Sequence, residues 1–135
     1  MIFLDSNVII AYKNKDDINH KKAYAIFSKI VDGKYGQAVI SEFIFSEVVT
    51  VLFLRKGLKT AAEVGKILKY AHEVTMIRAS EIFDKAWEIF IEQKGTKFSF
   101  VDASTIACLR DRAIKHIATF DLDFEKIENI DVVRM

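Results

Sequence analysis

Short apolar runs alternate with longer stretches of helical periodicity along this chain. Ile2-Phe3-Leu4 stops at Asp5 and a new apolar set, Val8 to Tyr12, follows, a pattern of strand, turn and short helix. Between residues 18 and 32, Ile18, Ala23, Ile26, Phe27, Ile30 and Val31 recur at helical spacing, Lys21, Lys22, Ser28, Lys29 and Asp32 fill the other side, and Gly33 supplies a stop. Ala38 to Ile40 suits a strand. Ser41 then offers a cap to a helix from about Glu42 to Lys56, terminated by Gly57. Thr60 opens another helix reaching about Glu73, Val74 to Ile77 is β-compatible, and Ser80 stands near the start of a long helix that ends before Gly95. Ser99 caps a helix through about Ala113, His116 to Phe120 forms a strand, and Ile130 to Val133 forms a last one. Strands separated by helices rather than by two-residue turns require parallel pairing and a sheet covered on both faces. The fold class expected is α/β in three layers, and residues 1–135 suffice for a single domain with one core.

Composition narrows the class without naming a partner. The chain is 51% hydrophobic with charges mixed throughout, and its apolar runs break well before the roughly 18 residues of a membrane span. Its first residues lack a basic segment and a small-residue cleavage pattern, so a cytoplasmic location is expected. The lone Cys108 falls in an apolar helical stretch and reads as an inert core thiol, while His20, His72 and His116 show no ligand spacing. A net charge of +1 neither demands nor excludes nucleic acid, because phosphate binding depends on local clusters of Lys and Arg.

The candidate chemistry is acidic. Asp5, Glu47, Asp102 and Asp121 each stand alone in an apolar stretch, and each falls where an α/β fold would aim it at the carboxyl edge of the sheet, the edge at which such sheets bind ligands. Asp5 ends the first strand and Asp121 follows the strand from His116. Glu47 lies in Phe43-Ile44-Phe45-Ser46-Glu47-Val48-Val49, where an outward-facing glutamate would be flanked by exposed hydrophobes, so an inward orientation is expected. Asp102 sits in the first turn of its helix, three residues after Ser99, where it reads equally as a capping-box acid. A buried ionised carboxylate is costly unless paired or metal-bound. Four such residues together suggest a site for Mg²⁺ or Mn²⁺, which favour hard oxygen ligands.

Asp5-Ser6-Asn7 after the first strand, Ser46-Glu47 in an apolar helix, Ser99-Phe100-Val101-Asp102-Ala103 and Thr119-Phe120-Asp121-Leu122-Asp123-Phe124 occur in an order and at spacings that resemble the PIN-domain ribonucleases. Within that family the chain looks like the small VapC-type toxins of prokaryotic toxin-antitoxin pairs. The resemblance implies a three-layer α/β/α domain with a mainly parallel central sheet of four to five strands. It implies a metal-dependent endoribonuclease in which Asp5, Glu47, Asp102 and Asp121 ligate one or two Mg²⁺ or Mn²⁺ ions and RNA is hydrolysed to a 5′ phosphate and a 3′ hydroxyl. Asn7 and Thr119, and with them Ser6, match polar positions that would orient ligands or touch phosphate, and Asp123 is either a fifth acid or a turn residue. Basic residues should rim the acids. Lys13, Lys15, Arg55, Lys56, Lys59, Lys94, Lys97, Arg110 and Arg112 are candidates, none assigned individually.

The helix from Glu42 is apolar nearly all round, and Phe83 and Trp87 widen the apolar face of the helix near residues 80 to 94. Either the domain's own core absorbs both or they associate with other chains. The resemblance favours a homodimer with an antitoxin peptide lying in a hydrophobic groove and obstructing the acidic site. A signalling receiver domain needs an acidic pair after the first strand, and a phosphatase needs Asp-x-Asp-x-Thr; Asp5-Ser6-Asn7-Val8-Ile9 provides neither. A catalytically silent binding module of the same fold, or a housekeeping RNA-processing nuclease without an antitoxin, remains the alternative.

Overall fold

The computed structural model describes residues 1–135. Its elements run β1 (Ile2–Leu4), α1 (Ser6–Lys13), α2 (His20–Val31), β2 (Ala38–Ser41), α3 (Glu42–Lys56), α4 (Leu58–Tyr70), β3 (Val74–Ile77), α5 (Ala79–Glu92), α6 (Phe100–Asp111), β4 (His116–Ala118), a 3₁₀ turn (Leu122–Lys126) and β5 (Asp131–Val133). The five strands form one sheet in the order β3-β2-β1-β4-β5, with every pairing parallel.

This order creates a switch point beside β1. The chain leaves β1 toward β2 and β3 on one side and returns to β4 on the other, and right-handed crossovers then put α1 to α4 on one face and α5 with α6 on the opposite face. The packing agrees, since α3 contacts α1 and α4 while α5 packs on α6. β1 is apolar on both faces because helices cover both; Ile2, Phe3 and Leu4 are all buried. Pairing of Leu4 with Ala118 brings the next residues along each strand, Asp5 and Thr119, side by side at the carboxyl edge.

Local signals set most boundaries. Ser41 accepts a hydrogen bond from Ile44 N and Gly57 adopts φ 93°, and between them α3 has the extent expected. The helix expected from Thr60 starts earlier, at Leu58, because Gly57 joins α3 to α4 as a single residue. It also ends earlier, at Tyr70. β4 stops at Ala118 instead of Phe120, since the polar groups of the following residues bond the acidic site in place of a neighbouring strand. Cys108 is buried with its thiol pushed up to about 12, mainly by desolvation, which agrees with an inert core residue. His20 Nδ1 bonds the Ala11 carbonyl at 2.8 Å and His116 Nδ1 bonds Asp131 at 3.0 Å.

Candidate active site

Asp5 is the centre of a hydrogen-bond network built from two strand ends. Its Oδ1 accepts from Ser6 N at 2.8 Å, an N-cap on α1, and its Oδ2 accepts from the Thr119 hydroxyl at 2.7 Å. Asn7 Nδ2 lies 3.4 Å from Asp5 Oδ2 and 3.3 Å from Thr119 Oγ1, and Asn7 Oδ1 accepts from Phe120 N at 3.2 Å. Thr119 Oγ1 in turn accepts from Asp121 N at 3.0 Å, and Asp121 Oδ1 caps the 3₁₀ turn by accepting from Asp123 N at 2.9 Å. Asn7 and Thr119 thus hold Asp5 and the backbone of Asp121 in one rigid unit. Ser6 contributes through its backbone N–H.

Asp102 stands in the first turn of α6 and makes the complete capping box with Ser99, Ser99 Oγ accepting from Asp102 N and Asp102 Oδ2 accepting from Ser99 N, each at 3.0 Å. Its other carboxylate oxygen has no partner in the protein. The capping role and a place near Asp5 therefore coexist, because only one oxygen is needed for each.

Burial differs among the acids. Asp5 is 5% exposed, whereas Asp102 and Asp121 are half-buried. Glu47 is exposed, contrary to the inward orientation expected of it. The core stripe of α3 is Ile44, Val48 and Leu52, and Phe45 with Val49 turns toward α4; Glu47 occupies the arc left over, beside partly exposed Phe43. The cost of isolated buried charge, inferred for four residues, falls chiefly on Asp5 and in part on Asp102.

Electrostatics nevertheless ties the acids together. Desolvation raises the Asp5 carboxyl to about 6, opposed by the bonds from Thr119 and Ser6 and reinforced by the negative charges of Asp102 and Glu47. Desolvation also raises Asp102, the Ser99 bonds oppose it, and the charges of Asp121 and Asp123 add to the rise. None of the four acids takes part in an ion pair, although the protein forms eight others. Among the rim candidates Lys56 pairs with Asp16 and Arg112 with Glu81, away from the acids, while Asp123 pairs with Lys126.

The side chains do not close into a preformed cage, as no three His, Cys, Asp or Glu groups are arranged to hold one ion together. The donor chemistry still fits a hard divalent cation. All donors are carboxylate oxygens, their charges reinforce one another without a basic partner, and an ion such as Mg²⁺ keeps several waters and needs only one or two carboxylates directly. Thr105, one turn along α6 from Asp102, buries a hydroxyl with no hydrogen-bond partner. Nothing in the sequence marks it, because a helical threonine ordinarily bonds a carbonyl of the preceding turn.

The family model described as PIN domain matches residues 2–130. The 23S rRNA-specific endonuclease VapC20 of Mycobacterium tuberculosis is 28% identical over 133 residues, which cover 98% of each chain. Ribonuclease VapC6 of Methanocaldococcus jannaschii is 26% identical over 152 aligned positions, covering 98% of this chain and 96% of its own. The crystal structure of Mycobacterium tuberculosis VapC20, a Sarcin-Ricin loop cleaving toxin, matches with a TM-score of 0.88 at 25% identity over 100% of both chains. VapBC2 from Rickettsia felis, bound to a DNA fragment from its promoter, shares the fold with a TM-score of 0.69 at 16% identity over 98% of both chains.

Proposed function

The chain belongs to the PIN-domain family, and from that premise we propose that it is a Mg²⁺- or Mn²⁺-dependent endoribonuclease and the toxin of a toxin-antitoxin pair. Relatives named as endonuclease and ribonuclease, aligned along nearly their whole length, support the activity. The observation that carries the site is the un-neutralised carboxylate group at the switch point, with Asp5 buried at its centre.

In this proposal Asp5, Glu47, Asp102 and Asp121 hold the ion. A divalent cation bound there would polarise the scissile phosphate and acidify a water for in-line attack. Thr119 and Asn7 fix the orientation of the Asp5 carboxylate, and they fix Asp121 through its backbone. Asp102 offers the oxygen left free by its cap. Glu47, on an exposed side chain of α3, lies near enough for its charge to act on Asp5 and would complete the set. Asp123, paired with Lys126, contributes charge from the margin.

The apolar surface next to the acids suits a protein partner. Phe43, four residues before Glu47, meets Phe100, two residues before Asp102, edge to face at 5.6 Å between centroids, and Phe100 meets Phe83 at 5.4 Å. An apolar segment of an antitoxin crossing this ridge would end at the carboxylates, and a second copy of the chain could cover its outer part. No helix is long and apolar enough to cross a membrane, and action on RNA beside an antitoxin would take place in the cytoplasm.

The test is cleavage of RNA by purified protein free of antitoxin, with and without Mn²⁺ or Mg²⁺. 23S rRNA is the first substrate because the relative VapC20 is named for it. Metal-dependent cleavage should fall by about a hundredfold or more in Asp5→Asn, the loss typical of removing a group that organises the reacting centre, while circular dichroism stays unchanged. Absence of metal-dependent cleavage on ribosomal, transfer and single-stranded RNA would leave a silent binding module.

A further inference from the structure

Directly across residues 120–122 from the acids lies a second cleft of about 450 Å³. Asn19, Lys22, Phe120, Leu122, Arg134 and Met135 line it. The backbone at Asp121 is extended, with φ −83° and ψ 111°, so Phe120 and Leu122 project to the side opposite the Asp121 carboxylate. One segment therefore forms the wall between cleft and carboxylates. That wall is fixed, since Asn7 Oδ1 holds Phe120 N and Thr119 Oγ1 holds Asp121 N.

The lining is chemically specific. Phe120 presents a half-buried ring, and Leu122, 54% exposed, offers an apolar shelf beside it. Asn19, the N-cap residue of α2, makes no side-chain capping bond, which leaves its amide free for a ligand. Lys22 is exposed and forms no ion pair, while Arg134 is paired with Glu125 at 2.7 Å. A ring and an apolar shelf, a free amide and a free cation are what a nucleotide needs: stacking for the base, hydrogen bonds for its edge and a charge for its phosphate.

We propose that this cleft binds a nucleotide of single-stranded RNA next to the scissile phosphate, with the base against Phe120 and Leu122, its edge at Asn19 and a phosphate at Lys22. The assignment rests on the nuclease reading for its substrate and adds the place where the strand is gripped. A strand crossing the 120–122 wall would have one nucleotide in the cleft and the adjoining phosphodiester over the carboxylates. Recognition would then favour unpaired over duplex RNA, because a base stacked in its own helix cannot reach the ring.

The experiment uses the full chain and a fluorescent single-stranded RNA with 2-aminopurine at one position, titrated in EDTA so that no strand is cut. Lys22→Glu should weaken binding about tenfold at low salt and reduce the salt slope by about one, as expected for one lost phosphate contact. Lys115→Glu, an equal charge change at the opposite edge of the sheet, should stay within about twofold. The 2-aminopurine emission should be quenched on binding to the wild type and much less to Phe120→Leu, which keeps apolar volume and the backbone bond to Asn7 but loses the ring. Equal affinities for Lys22→Glu and Lys115→Glu, or equal quenching by wild type and Phe120→Leu, would overturn the cleft. Cleavage assays on the same preparations separate the two ideas: metal-dependent cleavage by the wild type with an unchanged KM in Lys22→Glu removes the cleft and keeps the nuclease, whereas quenching through Phe120 without any cleavage keeps the cleft and removes the nuclease.

Discussion

Asp5 is the residue at which folding and function pull in opposite directions. Burial is the largest influence on its carboxyl and lifts it from 3.8 to about 6, against the pull of Thr119 and Ser6. With the folded value above the unfolded one, the native state binds this proton more tightly, so the residue's stabilising contribution is complete below about pH 4 and is lost as pH rises through 6. At pH 7 the ionised group costs the fold roughly 3 kcal/mol. We expect Asp5→Asn, in EDTA at pH 7, to exceed the wild type in stability by about 1–3 kcal/mol, some of the gain being lost to a poorer match with Thr119. The gap should close toward pH 4, and urea unfolding at both pH values measures it; equal midpoints at pH 7 would refute the account. Mn²⁺ should then raise the wild-type midpoint and leave Asp5→Asn unmoved, because only a state that binds the ion is stabilised by it. An aspartate directly after Ile2-Phe3-Leu4, a strand buried on both faces, has little access to water. Glu47 had no such signal. In a helix apolar nearly all round, no polar stripe marks the outward side, and only the packing of Phe45 and Val49 toward α4 decides it.

At the level of elements, that same packing depends on a glycine inside α4. A Cβ at Gly65 would lie 3.3 Å from Val49 Cγ1 and 3.6 Å from the Phe45 ring, so α3 and α4 approach closely because nothing projects between them. Gly65→Ala should be close to neutral: the gain of about 1 kcal/mol in helix propensity is offset by a tight contact that Val49 must relieve. Gly65→Val adds atoms with nowhere to go and should lose about 1–3 kcal/mol, read as a lower thermal midpoint. Equal midpoints for the two variants would mean that α4 shifts on α3 to admit the larger side chain. Helix boundaries were legible wherever a cap made its own bond, as Ser41 and Ser99 do. The start of α4 was not, since Thr60 looks like a cap while Gly57 supplies the turn through its positive φ. The 3₁₀ turn at Leu122 was partly legible, as one of the two readings of Asp123, whose N–H donates to the Asp121 carboxylate.

For the whole molecule, a net charge of +1 provides almost no long-range attraction to RNA. In the proposed function, substrate capture would then rely on local features, namely the acids with a bound cation and the basic residues beside them. An aromatic surface is uncovered beside the acids instead: Phe83 and Trp87 on α5 are 52% and 51% exposed, and they continue the ridge that begins with Phe43 and Phe100. A buried aromatic side chain removes about 150–250 Å² from water, so two or three of them meeting their symmetry mates can hold a modest dimer. We expect the wild type to sediment as a dimer at about 100 µM and to dissociate on dilution, with Trp87→Glu monomeric throughout. The RNA cleavage of Trp87→Glu should match the wild type at concentrations where both are monomers, because Trp87 meets Phe90 at 6.0 Å on α5 and touches none of the acids. If the wild type is already monomeric at about 100 µM, the ridge is free along its whole length, and the homodimer drops out of the proposal. An antitoxin could then cover the aromatics and the carboxylates with one continuous segment. Trp87→Glu should in that case weaken inhibition of cleavage without altering cleavage itself, a difference that an assay with and without the partner would read directly.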